Sequence, residues 1–150
     1  MKMRYFSIKK LKNLKIFIKL PFEDIAFPRG VNGMDKYQDD ITRYKKGTPI
    51  HTKGAILFNF LLKKYNIKSI SSIQNGDKIK FIYLKTPNPL HENVIASSGT
   101  LPEEFGLQKY IDYNLQFKKT FMDPLRLITK IIKWDIEPTV KLEDFFFKDK

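Results

Sequence analysis

Lys45 to Leu62 reads KKGTPIHTKGAILFNFLL. Two lysines and a glycine lead into Thr48-Pro49, His51 and Lys53 follow, and from Gly54 onward the stretch is apolar but for Asn59. Thr48 is placed to cap a helix with Pro49 at the first helical position, where its missing amide hydrogen leaves no bond unmade. Ile50, Leu57 and Leu61 then fall on one stripe, and the spacing predicts a helix running to about Tyr65. The body of such a helix packs in a core. Its cationic start faces something anionic, because the free amides of a helix N-terminus already favour negative charge.

Toward the N-terminus, PFEDIAFPRGVNG over residues 21 to 33 reads as loop, since Pro28, Gly30 and Gly33 forbid long regular structure and suit a close approach of backbone to another group. Before it, MKMRYFSIKKLKNLKIFIKL sets Ile8, Leu11, Leu14 and Ile18 at helical spacing among lysines, a basic amphipathic helix ended by Pro21. Such a helix lies on a membrane surface, docks on a partner or is simply solvated. No apolar run approaches the ~20 residues of a membrane span, and no small-residue cleavage site follows, so a transmembrane helix and a secretory signal are rejected. The solvated or partner-docked helix is the preferred reading, with no membrane partner.

Toward the C-terminus, a polar turn at Gln74-Asn75-Gly76 precedes DKIKFIYLK, where Ile79, Phe81 and Tyr83 alternate with Lys78, Lys80, Ile82 and Leu84. That is a strand with at least one buried face, stopped by Pro87 and Pro89. A second short strand is expected at Asn93 to Ala96, then a loop with Gly99 and Pro102. From Asp112 to Lys133, Leu115, Phe121, Leu125, Ile128 and Ile132 return at helical intervals, with Pro124 expected to restart or kink the helix and Asp123 as the new N-cap. The fold class is α+β, dominated by helices, with a small antiparallel β element. Past Trp134, DIEPTVKLEDFFFKDK carries three successive phenylalanines, Phe145 to Phe147, that ask for a partner.

One ordinary domain fits 150 residues, and 13 phenylalanines and seven tyrosines exceed what a disordered chain carries. With no cysteine there is no disulfide scaffold, thiolate zinc site or cysteine nucleophile, and a reducing, intracellular setting fits best. The net charge of +12 is unevenly spread: +7 over residues 1 to 20, −2 over 21 to 28, +8 over 29 to 85 and −1 over 86 to 150. The basic surface belongs to the first part of the chain.

Enzymatic chemistry finds little support. His51 and His91 lie 40 positions apart without a second ligand at motif spacing, no phosphate-cradling GxGxxG or Walker pattern occurs, and Asp39-Asp40 and Glu103-Glu104 are adjacent acids in polar context. The basic block differs. Arg29, Lys45, Lys46 and Lys53 stand in glycine-bearing loops or at a helix start, where Gly47 and Gly54 leave clearance for a phosphate backbone. A chain that neutralises several phosphates gains affinity for duplex DNA by releasing counterions, without reading sequence. Any one of these lysines taken alone is better read as solvated; the cluster with its glycines points to DNA. Lys78, Lys80 and Lys85 form a second basic row if the strand shows a face to solvent, although alternating lysines also protect an edge strand.

Taken in order, PFEDIAFPRGVNGMDKY, YKKGTPIHTKGAILFN, GDKIKFIYLKTPNP with HENVIA, LPEEFGLQKYIDYNLQF with KTFMDPL, and EPTVKLEDFFF make the chain resemble the C-terminal thumb region of family B DNA polymerases of T-even-type bacteriophages, over about residues 21 to 147. The resemblance implies a thumb over residues 21 to 138 that grips primer–template duplex DNA through phosphates and the minor groove, with Arg29, Lys45, Lys46, His51 and Lys53 at the matching positions. Where relatives usually have a hydrophobic residue and arginine before the glycine, this chain has Thr52 and Lys53, which keeps the charge and loses the bidentate fork. Residues 139 to 150 are similar to a sliding-clamp-binding peptide, with Leu142, Phe145 and Phe146 as its anchors and Thr139 where cellular motifs have glutamine. A fold-back of Phe145 to Phe147 onto the thumb competes with that reading.

The family's exonuclease, fingers and palm have no counterpart in this sequence, nor do the palm aspartates that hold two metal ions. The chain alone is therefore expected not to polymerise and to carry no cofactor, with magnesium expected in the palm of the complete polymerase. On this resemblance it is a truncated frame, a fragment, or the C-terminal subunit of a split polymerase whose remaining domains are a separate chain. Its setting is the cytoplasm of an infected bacterial host. A stand-alone basic DNA-binding protein, and an adaptor that binds proteins through its aromatic tail, are the alternative readings.

Overall fold

A computed structural model describes residues 20 to 131. The predicted N-terminal amphipathic helix and the tail with Leu142, Phe145 and Phe146 lie outside the described residues. The described residues fall in two units, 20 to 116 and 117 to 131.

In the larger unit a one-turn helix α1 (Phe22–Ile25) leads into strand β1 (Phe27–Gly30), then helix α2 (Met34–Tyr37) and the hairpin β2 (Gln38–Asp39) and β3 (Arg43–Tyr44). The long helix α3 (Ile50–Lys64) follows, then strands β4 (Lys78–Tyr83) and β5 (Val94–Ser97), two 3-10 turns (Glu103–Phe105 and Gln108–Tyr110) and helix α4 (Tyr113–Phe117). The fold is α+β: helices beside an antiparallel sheet ordered β1-β4-β5 and a separate two-stranded ribbon β2-β3. Phe27 pairs with Phe81 and Gly30 with Lys78 on one side of β4, and Lys80 pairs with Ser97 and Tyr83 with Val94 on the other.

The passage 21 to 33, expected as loop, thus contributes a strand. Pro28 is tolerated because β1 is an edge strand, whose outward backbone groups owe nothing to the ladder. The lysine-bearing strand β4 is the middle strand, so Lys78 and Lys80 do not protect an edge. Ile79 and Phe81 on one face and Ile82 on the other are all buried, which is how a central strand covered on both sides reads.

Helix α3 packs on this sheet at very close range. A methyl group on Gly54 would sit 3.0 Å from the Ala96 backbone nitrogen and 3.1 Å from its Cβ, so the absent side chain is what lets the helix lie against β5. Gly54 is therefore clearance for a strand, and the sequence reading that gave this glycine to a phosphate backbone is corrected. Ala55, Leu57 and Phe58 are fully buried below it, as are Ile56, Leu61 and Leu62 within a few per cent. Near its end, Asn59 donates to the Ile73 carbonyl and accepts from the Ile73 amide, both at 2.8 Å, which ties the following loop to the helix.

The start of α3 also departs from expectation. Pro49, with ψ 143°, is the residue before the first helical turn, and no side chain caps it. The Thr48 hydroxyl instead donates to the Lys45 carbonyl at 2.6 Å. Thr48 thus closes the preceding turn, because its short side chain reaches back to a nearer acceptor than the helix amides. The predicted C-terminal limit holds, since Tyr65 is the C-cap residue and its amide bonds to Leu61.

Asp112 caps α4: its Oδ1 accepts the Leu115 amide at 2.9 Å. Gln116 is fully buried, donating from Nε2 to the Ile25 carbonyl at 2.5 Å and accepting the Tyr83 amide at 3.4 Å. In the second unit the described residues form a π-helical turn (Lys118–Met122) and helix α5 (Asp123–Ile131). Asp123 has helical dihedrals, φ −65° and ψ −46°, so it is not an N-cap; its carboxylate pairs with Lys119 and Arg126. The helical path survives Pro124 because the turn before it is widened to π spacing, where the proline's missing donor and ring are accommodated. The extra residue per turn moves the buried set to Phe117, Met122 and Thr129, and leaves Phe121, Leu127, Ile128 and Ile131 exposed.

Candidate nucleic-acid interface

The residues preceding α3 form a compact basic turn. The Lys45 amide donates to the Tyr37 carbonyl at 2.9 Å and the Thr48 amide to the Lys45 carbonyl at 3.3 Å. Gly47, at φ +86°, supplies the left-handed residue the turn requires. Lys45 and Lys46 are exposed, and the Lys45 ammonium donates to the Lys36 carbonyl at 2.9 Å. Pinned by its own backbone, this turn delivers two cations to the N-terminal end of α3.

Two further predicted residues meet at that end. His51, in the first turn of α3, lies against the Phe81 ring with centroids 6.4 Å apart. Partial burial and the positive charge of Arg29 hold its imidazole below the ordinary 6.5. Arg29 is exposed on the edge strand β1 and pairs in register with Ile79, so it rises from the sheet face that α3 covers. The exposed backbone of Gly30 follows it, with open space where a side chain would be.

Lys78 and Lys80 are exposed on the opposite face of β4 from Ile79 and Phe81. They are therefore not continuous with Arg29, and the Lys80 ammonium donates to the Glu23 carbonyl at 2.5 Å. Lys85 is exposed just beyond β4, its backbone amide bonded to Tyr110.

Lys53 has a different environment from the other cations. Its ammonium lies 2.7 Å from Glu92 Oε2 and 3.1 Å from Asn93 Oδ1, and 4.8 Å over the Tyr44 ring. The Tyr44 hydroxyl donates to Glu92 Oε1 at 2.7 Å. Burial alone would depress the Lys53 pKa, but its bonds to Glu92 and Tyr44 outweigh that and raise it, while burial and the bond to Glu92 raise Tyr44. One carboxylate thus carries both a lysine and a tyrosine from two different elements.

The sequence reading missed Arg43 and Glu92. Arg43 takes a left-handed backbone, φ 70°, and its guanidinium lies 4.6 Å over the Phe60 ring. Nothing in a single RY dipeptide announces that. Glu92, an isolated acid after a proline-rich loop, carries no motif, and its partner Lys53 lies 39 positions away in the sequence. Among the described residues no three His, Cys, Asp or Glu side chains are grouped as a metal ion would need, and no helix is long and apolar enough to cross a membrane.

Arg29, Lys45, Lys46 and His51 thus stand about one helix start on a small α+β scaffold. Comparison with known proteins adds to this. No protein-family profile matches the chain. It is similar to the DNA-directed DNA polymerase of Escherichia phage RB69, 29% identical over 135 residues that cover 87% of this chain and 14% of that protein. The DNA-directed DNA polymerase of Enterobacteria phage T4 is 28% identical over 137 residues, 89% of this chain and 15% of that protein. The chain thus spans about one-seventh of the length of the curated relatives it matches. The similarity supports a region related to T4-type phage DNA polymerases.

Proposed function

We propose that this chain is the thumb part of a viral DNA-directed DNA polymerase, which grips the primer–template duplex leaving the active site. The observation that carries this reading is the convergence of Arg29, Lys45, Lys46 and His51 at the N-terminal end of α3. A turn locked by backbone bonds has already met the backbone part of the ordering cost. Phosphates are the anions that such a set of amides and point charges suits, and each one neutralised adds binding free energy through counterion release. Lys78 and Lys80 on the other face of the sheet, and Lys85 beyond the end of β4, supply a supplementary positive field that steers the duplex.

The remaining roles complete this reading. Leu142, Phe145 and Phe146 anchor the tail in a sliding clamp, as apolar side chains of a short peptide filling a pocket. Catalysis belongs to a palm carried by the rest of the polymerase, whose aspartates hold magnesium, so this chain is non-catalytic alone and works in the cytoplasm of an infected bacterial host.

The test is primer extension with this chain mixed with a polypeptide carrying the matching exonuclease, fingers and palm. Synthesis that neither partner supports alone is the expected result. An absence of gain at every ratio, with both partners folded, contradicts the proposal.

A further inference from the structure

We propose that Lys53 is a positioning residue rather than a phosphate contact, and that the Tyr44–Glu92–Lys53 cluster holds the basic turn Lys45–Gly47 in register with the start of α3. This rests on the DNA-gripping reading above and deepens it. A lysine ammonium has three donors and no acceptor. Here the three directions go to Glu92 Oε2 at 2.7 Å, Asn93 Oδ1 at 3.1 Å and the Tyr44 ring at 4.8 Å. Its charge is already met by a carboxylate, an amide oxygen and a ring face, and the side chains of Lys53 and Glu92 are only 17% and 14% exposed.

The cluster joins three separate elements. Tyr44 ends β3 and directly precedes Lys45, Lys53 sits in the first turn of α3, and Glu92 and Asn93 belong to the β4–β5 connection. That connection is itself fixed by the buried Asn88, which donates to the carbonyls of Lys85 and Glu92 at 2.7 Å each. The β4–β5 connection is thus a rigid post. Glu92 projects from it and holds the hairpin through Tyr44 and the helix through Lys53 at once. With the Lys53 charge neutralised by Glu92, the outward field of this end comes from Lys45, Lys46 and Arg29.

The experiment uses the full 150-residue chain and a duplex DNA of random sequence, with affinity measured across a range of potassium chloride concentrations. Lys53→Glu is expected to weaken binding roughly tenfold or more, the scale of one lost charge-assisted contact, and the exchanged pair Lys53→Glu with Glu92→Lys to restore it. A phosphate-contacting Lys53 would give the opposite result, since the exchanged pair leaves a carboxylate at the contact, and an unrestored affinity overturns the proposal. Tyr44→Phe, which deletes only a hydroxyl, serves if Lys53→Glu does not fold. It is expected to weaken binding and to lower the salt slope as Lys45 and Lys46 leave their phosphates, and an unchanged affinity and slope would also overturn the proposal. Hydrogen exchange of the Lys45 and Thr48 amides without DNA gives an independent arm: both are expected to exchange faster in Tyr44→Phe while Leu57 and Leu61 stay protected. Unchanged exchange at Lys45 and Thr48 rejects the positioning role even if the chain binds DNA, whereas faster exchange in a chain that binds no duplex retains that role and rejects the DNA grip.

Discussion

Thr52 is 1% exposed and its hydroxyl has no hydrogen-bond partner among the described residues. A buried hydroxyl left unpaired costs about 1–3 kcal/mol of desolvation, and an isosteric methyl does not. Thr52→Val is therefore expected to stabilise the chain by about 1 kcal/mol, read as a rise of about 4 °C in Tm; a fall in Tm would mean the hydroxyl is paired in solution. One helical position before it, His51 is held below its ordinary 6.5 by burial and by Arg29. As pH falls through 6.5 the unfolded chain takes up this proton before the folded one does, so stability is lost with falling pH below that value and is unaffected by His51 above it. The urea midpoint is expected to drop more between about pH 7 and about pH 5.5 in the wild type than in His51→Gln, and equal drops would assign the loss to other groups. Both residues were visible in TPIHTKG as a cationic helix start. That Thr52 faces inward and Lys53 is already paired was not, because the direction of each side chain depends on where β5 and residue 92 lie.

At the scale of elements, the body of α3 was legible because apolar residues at helical spacing leave few alternatives, and β4 because it alternates between turn residues. Strand β1 was not. Pro28 and Gly30 argue against a strand in isolation, and only pairing with Phe81 through Lys78 makes FPRG extended. The π turn was equally hidden: Pro124 signals trouble, but a kink, a restart and a widened turn all relieve it. Gly54 shows the same limit, for its role is fixed by Ala96, 42 positions away. Gly54→Ala gains about 1 kcal/mol of helix propensity, yet its methyl meets strand backbone at 3.0 Å, and a paired strand cannot yield. Overpacking of this kind costs about 1–3 kcal/mol, so the net expectation is destabilisation in urea unfolding. Asp112→Ala removes the cap on Leu115 and is expected to cost about 1 kcal/mol, seen as faster amide exchange over α4 with the sheet unchanged.

Across the whole molecule, charge distribution was the most readable property, since it needs no geometry: +8 over residues 29 to 85 against −1 over the rest of the C-terminal part. What the fold adds is a division of labour among those charges. Lys78 and Lys80 go to the far face of the sheet, Lys53 is bound to Glu92, and Arg29, Lys45 and Lys46 remain outward at the start of α3. The account stands on that last group meeting phosphates. The most direct measurement is the salt dependence of duplex binding by the wild type and by Lys45→Ala with Lys46→Ala. Each phosphate contact contributes about 0.9 to the slope of log affinity against log salt, so the double variant is expected to lose about 1.8 of slope together with affinity. An unchanged slope in a folded double variant would place the DNA elsewhere and contradict the account.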